Sequence, residues 1–295
     1  MIVLRVRQKG LSMTKTTTGR ALLLCCAMSA LTALPSASAQ TVSDLTVADR
    51  AVMATVSVPS GQSADLSIAF ENASGLTAET IGLSVAVRPP FDPNVLSRLP
   101  ATSPGTIAPA AGLPMVVTVA PSAGFSFDGV ATVELYTTDL KFAAGSPLRL
   151  FKAEDGGAFR DITTMNAGGS YRSRGSTGKF SEFVIVSDLR SSAEVFSVKA
   201  ARLDGLIADA RAQAGDALAD ALAADLAAAR TAAADGRYAD AIGAADALAD
   251  RADTAGAEGV LANRYAPGGP ENLAGQLRAE ALTLRFTLTQ AANGF

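Results

Sequence analysis

The chain changes character at Arg190, and that change limits the fold more than any motif does. Ten of its 13 prolines lie between Pro59 and Pro147, in a stretch rich in Val, Ser, Thr and Gly. From Ser191 to Phe295, 34 of 105 residues are Ala, and the only prolines, Pro267 and Pro270, bracket a Gly-Gly pair. Ala and Leu lose little side-chain entropy in a helix, whereas β-branched residues fit a pleated surface. The expectation is an α+β chain of two domains: an antiparallel β-sandwich over 42–190, then an Ala-rich antiparallel helical bundle over 191–295.

Within the first region, short apolar runs alternate with turn clusters. AVMATVSV (51–58), ADLSIAFE (64–71), IGLSVAVR (81–88), PMVVTVA (114–120), VATVELYT (130–137), LRLFKA (148–153) and FVIVSD (183–188) give seven predicted strands. Leu66, Ile68 and Phe70 share one face at period two, as a half-buried strand requires. Asp92-Pro93 ahead of NVLSRL predicts a short helical insertion, capped by Asp92 with Pro93 at its first position.

The second region has helical spacing. Leu203, Leu206, Ile207 and Ala210 mark one face over about 197–213, ended at Ala214-Gly215. Asp216 is expected to cap a second helix with Leu218, Leu222, Leu226 and Ala229 in its seam. Tyr238, Ala241, Ile242, Ala245, Leu248 and Ala252 mark a third helix. Leu273, Leu277, Leu284 and Leu288 mark a fourth, starting from Pro270-Glu271. The Asp-rich faces, interleaved with Arg211, Arg230, Arg237 and Arg251, suit solvent.

The N-terminus predicts export. Arg5, Arg7, Lys9, Lys15 and Arg20 precede the apolar run ALLLCCAMSALTAL, and Ala37-Ser38-Ala39 forms an A-x-A cleavage site. Residues 1–39 therefore read as a signal peptide, and the product as periplasmic or secreted, with no membrane span after cleavage. Cleavage removes Cys25 and Cys26, so disulfides and thiol chemistry go with the leader. It also leaves 20 Lys and Arg against 28 Asp and Glu, a formal charge of −8 that suits neither nucleic acid nor anionic lipid.

The chemistry is limited by what the composition lacks. There is no His, which removes Ser-His-Asp triads, His bases and His-containing metal sites. The stretch GKFSEFVIVSDLR (178–190) sets Ser181 between Lys179 and Glu182. Its two-sided apolar run reads as a central strand, with Ser181 a surface hydroxyl or a cross-strand partner rather than a nucleophile. The polar segment 152–180 holds Glu154, Asp155 and Asp161, whose spacing departs from a calcium loop. Asp155-Gly156-Gly157 and Gly168-Gly169 read instead as hairpin turns around AFRDIT. In the same segment Tyr171, Arg172 and Arg174 form the candidate ligand-binding surface, suited to a glycan, although the chain has no Trp to serve as a sugar platform. No catalytic residue, metal ligand or cofactor is expected.

Two segments carry resemblances. The phrase from Ala201 to Arg251, with its turn and restart at Asp235-Gly236-Arg237-Tyr238-Ala239-Asp240-Ala241-Ile242, resembles the FIMAH/FIVAR-type helical modules of secreted bacterial proteins. Those modules accompany extracellular enzymes or adhesins and are non-catalytic. The phrase Phe180-Ser181-Glu182-Phe183 is similar to the opening of the last strand in Ig-like modules of bacterial surface proteins, which implies an Ig-like sandwich. The whole chain resembles an uncharacterised family of secreted proteobacterial proteins, which offers no active site to transfer. The function implied is a non-catalytic envelope or extracellular interaction module with an unidentified protein partner; the alternative is a glycan-binding accessory module acting through 152–180.

Overall fold

In a computed structural model the described residues are 41–103, 105–154 and 156–295. The signal segment expected at 1–39, with Cys25 and Cys26, and the turn residue Asp155 lie outside them. The fold is mixed α+β, with two antiparallel sheets and six helices among the described residues.

In the first sheet the order is β1 (Thr41–Ala48), β2 (Ala51–Ser57), β3 (Ser63–Ser74), β7 (Ser126–Thr137), β11 (Tyr171–Thr177) and β10 (Thr163–Ala167), with β13 (Arg264–Tyr265) added to β7. In the second it is β4 (Leu83–Val87), β6 (Met115–Val119), β12 (Glu182–Asp188), β8 (Leu148–Ala153) and β9 (Arg160–Asp161), with β5 (Ile107–Pro109) also on β12. All seven expected strands are present. The alternation does what period two requires: Val52, Ala54 and Val56 of β2, and Leu66, Ile68 and Phe70 of β3, are buried, while Met53 between them is exposed.

Both sheets contribute to one apolar core, which includes Leu66, Ile68 and Val133 from the first and Val117, Leu150, Phe183 and Ile185 from the second. At one end Phe70, Phe125, Phe127 and Phe180 pack ring on ring with centroids 5.4–6.4 Å apart. The second sheet is also covered on its far face. Val184 and Val186 of β12 join Phe151, Phe159, Ile107, Val116 and Val95, the last from the short helix α2 (Pro93–Leu96). Asp92 caps α2 as expected, accepting from Asn94 N–H at 2.8 Å. Burial on two faces explains why β12 reads Phe-Val-Ile-Val without alternation. The expected turn at Gly168-Gly169 is found, where β10 returns as β11, and β8 pairs with β9.

Besides α1 (Ala78–Ile81), four long helices follow: α3 (Ser192–Ala214), α4 (Asp216–Ala234), α5 (Tyr238–Ala257) and α6 (Leu273–Ala292). Helix α3 begins earlier than its apolar spacing predicts, because Ser191 and Glu194 form a capping box. Asp216 is the first residue of α4 rather than its cap. Gly215 holds the cap position at φ 84°, and Asp216 pairs with Arg211. Helix α4 packs on α3 and α5, and α6 on α3 and α5, around a Leu/Ala core. No helix among the described residues is long and apolar enough to cross a membrane.

Helix α6 carries two buried faces. Leu273, Leu277, Leu284 and Leu288 meet the other helices. Asn272, Gln276, Glu280, Thr283 and Thr287, spaced by four, four, three and four, are also buried, on the side where α6 packs against β7, β10 and β11. Sheets and helices therefore share an interface, and the described residues fall in one compact unit, with the change at Arg190 marking where strand gives way to helix.

The approach at the start of α6 is close. A Cβ on Gly275 would lie 2.2 Å from the Gly129 carbonyl oxygen, and one on Gly178 would lie 2.6 Å from the Gln276 nitrogen. Helix propensity favours Gly275→Ala by about 1 kcal/mol. Overpacking against backbone costs about 1–3 kcal/mol. The substitution is expected to destabilise, with a lower urea midpoint. An unchanged or higher midpoint would show that the helix and sheet have room to separate.

Candidate functional site

Segment 178–182 enters β12 at the edge of a cleft of about 650 Å³. Its floor is the end of β6 and the start of β12, where Val119 and Ser181 exchange backbone hydrogen bonds of 2.9 and 3.2 Å. The overhanging wall is the Tyr265–Asn272 loop, Ala-Pro-Gly-Gly-Pro at its centre. One end of that loop is tied to the first sheet by β13, and the other is the cap of α6. Asn272 does this with three bonds: Oδ1 accepts from Gly275 N–H at 2.9 Å, and Nδ2 donates to the Gly129 and Gly178 carbonyls at 2.7 and 3.2 Å. Tyr265 stacks on Phe127 with centroids 5.1 Å apart and meets Phe180 edge-on at 6.0 Å.

Among the described residues four charged side chains line the cleft, and they are paired. Arg98 binds Glu182, donates through Nε to the Gly157 carbonyl at 2.8 Å, and lies 4.4 Å from the Phe159 ring centroid. Lys179 Nζ is 3.3 Å from Glu271 and 4.0 Å from Glu154. Ser181 is expected at the surface or paired across strands. Its backbone does pair across strands, with Val119, and continues the pairing of Glu182 and Phe183 with β6. It is not at the surface: the residue is 7% exposed, and its Oγ has no hydrogen-bond partner among the described residues.

Behind Lys179 an ionic network runs to the helices. Lys152 is fully buried, and its ammonium finds three acceptors for three protons: Glu154 Oε1 at 2.7 Å, the Lys179 carbonyl at 2.7 Å, and Thr177 Oγ1. Glu154 also binds Arg160 at 2.9 Å, and Arg160 reaches Glu280 of α6 at 3.6 Å. One step further, Lys199 of α3 is 2.7 Å from Asp161 and donates to Thr283 Oγ1 at 2.7 Å and Thr287 Oγ1 at 3.0 Å. Thr283 passes its own proton to the Thr163 carbonyl at 2.9 Å. Burial lowers the Lys152 ammonium to about 7; the Arg160 charge adds to this and Glu154 opposes it. Burial alone would raise the Glu154 carboxyl, but Lys152 and Arg160 outweigh it and bring it to about 2. The Asp161 carboxyl is likewise lowered, with Lys199 outweighing burial.

The three residues expected to form a ligand surface do not stand together. Tyr171 is 1% exposed and faces the core, because β11 turns its odd-numbered positions inward. Arg172 and Arg174 lie on the opposite face, both bound to Glu134, and the ring beside Arg172 is that of Tyr136, 4.9 Å from centroid to guanidinium. Of the acidic residues weighed for calcium, Glu154 answers Lys152 and Asp161 answers Lys199, while Asp155 lies outside the described residues. Sequence reasoning missed Arg98 and the loop residues Tyr265 and Glu271, which lie far from Arg98 in the chain and meet it only across the fold. The Pro-Gly-Gly-Pro loop was the one available signal.

Two antiparallel sheets with helices docked along one side, and a charge-paired cleft at their junction, define a mixed α+β class of protein. The chain belongs to DUF6689, a family of unknown function whose model matches residues 26–292. No curated protein and no solved structure matches it.

The Glu154 shift sets a pH dependence. In the unfolded chain the carboxyl titrates at its ordinary 4.5; in the folded protein it does so near 2. The unfolded state therefore takes up the proton first as pH falls. The stabilisation is complete above 4.5 and is lost towards 2, an effect of up to about 3 kcal/mol. Urea midpoints at pH 6 and pH 3 should separate wild type from Glu154→Gln widely at the first and narrowly at the second. An equal gap at both would mean that the carboxylate charge contributes nothing.

Proposed function

We propose that this protein is an exported, non-catalytic binding module of the cell envelope or extracellular space. In this reading an Ig-like sandwich and a helical bundle together build the cleft between β6, β12 and the Tyr265–Asn272 loop. The observation that carries it is the state of the charged groups there. Arg98 and Lys179 are each held by a carboxylate, and the Ser181 hydroxyl has no base bonded to it. Such walls present fixed donors and acceptors to a partner, whereas nucleophilic catalysis needs a base within hydrogen-bond reach. The basic, apolar and A-x-A segments at 1–39 support export.

The glycan alternative also keeps a foothold, through different residues. Gly156 and Lys179 of the 152–180 segment line the cleft, while Tyr171, Arg172 and Arg174 do not.

Two measurements test this reading. Protein recovered from the periplasm or medium should begin at Gln40; an uncleaved cytoplasmic product would sink the export claim. Immobilised protein exposed to a solubilised envelope fraction should retain a component that is lost on Lys179→Glu with Glu182→Lys. Retention indifferent to that double change would remove the cleft from the proposal.

A further inference from the structure

We propose that the helices hold a second binding site, a pocket at one end of their bundle that takes a neutral aromatic molecule of one or two rings. The start of α3, the end of α4, the start of α5 and the end of α6 meet there around a cavity of about 320 Å³. None of its lining residues belongs to the cleft, so the proposal goes beyond the binding-module reading and does not rest on it. The space exists because Ala233 of α4 and Ala291 of α6 stand where longer side chains would fill it. Protein interiors are otherwise close-packed. Phe295 in the lining is half exposed, so the mouth opens to solvent.

The walls set the class of ligand. Three rings line the cavity: Phe196 of α3, Tyr238 of α5 and Phe295 beyond α6. The aromatic pairs among the described residues lie in the sheet core and at Tyr265, so none of these three has a ring to pack on. Rings gain from offset or edge-on contact with other rings, and an aromatic ligand would supply that contact. Phe295 is a fixed wall. Ser192 Oγ donates to its carbonyl, and its own N–H donates to the Gln290 carbonyl at 3.0 Å. Its ring lies so close to Gly145 that a Cβ there would be 2.4 Å away.

The polar groups at the cavity are largely engaged. Besides Ser192, Thr287 Oγ1 accepts from Lys199 at 3.0 Å and donates to the Thr283 carbonyl at 3.3 Å. Arg230 gives Nη1 and Nη2 to the two carboxylate oxygens of Asp204, at 3.0 and 2.5 Å, so its charge is answered. Tyr238 adds one further hydroxyl. A charged or many-hydroxyl ligand would shed water here for groups that already have partners, which costs free energy. A ring with at most one polar group loses little. Size agrees, since an apolar cavity of about 150 Å³ holds benzene and small-molecule sites begin near about 300 Å³. An alkyl chain is the main rival, because it too needs no polar partner; the three rings favour the aromatic.

The test is titration of the full exported chain with indole and p-cresol, read by amide NMR shifts and calorimetry, with 1-hexanol and decanoate as aliphatic rivals. At least one of the two aromatics is expected to bind with Kd below about 1 mM, shifting amides at both 192–196 and 288–295. Ala291→Leu should fill the cavity and weaken binding about tenfold or more, while the urea midpoint stays unchanged or rises, as cavity filling does. Phe295→Ala, at a half-exposed position, should weaken binding about two- to tenfold, the range of one ring contact, and serves if Ala291→Leu fails to fold. No binding of either aromatic, or binding untouched by these variants, overturns the proposal. Tighter binding of an aliphatic rival than of both aromatics would assign the cavity to an alkyl chain and overturn it as well. So would a concentration-dependent dimer in sedimentation that Ala291→Leu disperses, since the occupant would then be a second copy. None of these outcomes touches the cleft, whose test is retention of the envelope component.

Discussion

The docking of α6 on the sheets is the interaction on which the rest of this structure depends. Lys199 supplies the charge from α3, Asp161 answers from β9, and Thr283 and Thr287 of α6 take the remaining protons. Removing one partner of such a buried pair costs about 3–5 kcal/mol, because the other charge stays behind unanswered. The net gain of the intact pair over an apolar contact is small by the same reasoning. Its strength lies in geometry: the Lys199 ammonium needs its acceptors at fixed points, and Thr283 and Thr287 of α6 supply two of them. Asn272 sets the same register at the other end of the interface, with two carbonyls from different parts of the sheet region.

The cleft inherits its shape from that register. Its overhanging loop spans from β13, a two-residue addition to β7, to the Asn272 cap. One anchor is strand pairing with the first sheet, and the other is the cap of a helix. Lys179 likewise stands between two systems, contacting Glu271 on the loop and Glu154 at the edge of the buried network. A site assembled this way folds as part of the whole unit, and the strand-rich half of the chain does not contain it alone.

The strands and the helical seams were legible in the sequence because each buries one face, and burial on one face writes a period. Leu66, Ile68 and Phe70 announce a strand; Leu273, Leu277, Leu284 and Leu288 announce a helix. Where burial is polar the period misleads. Gln276, Glu280, Thr283 and Thr287 carry no apolar signal, and the bond of Thr283 to the Thr163 carbonyl or the pairing of Glu280 with Arg160 cannot be deduced from spacing. The same blindness explains Tyr171. Its glycine-rich, arginine-bordered setting looks exposed, yet β11 pairs with β7 on one side and β10 on the other, and the pleat carries the ring into the core. β10 and β11 themselves are rich in Thr, Ser, Asn and Arg because one of their faces meets solvent or the polar side of α6 instead of a second apolar layer. The cleft was illegible for a further reason: Arg98, Ser181 and the loop that carries Tyr265 and Glu271 come from three separate segments, and only the fold brings them together.

The stretch 178–182 shows how the two kinds of burial meet in a few residues. Gly178 has no side chain because the α6 backbone lies where a Cβ would be. Lys179 gives its carbonyl to Lys152 and its ammonium to two carboxylates. Phe180 closes the aromatic end of the core. Ser181 then pairs its backbone with Val119 and buries its hydroxyl without a hydrogen-bond partner among the described residues, and Glu182 holds Arg98. Helix docking, ionic network, core and cleft thus each take one or two positions of a single short segment. Nearly every side chain there is already committed to a neighbour, so the conformation of this segment is set by core, network and helix at once.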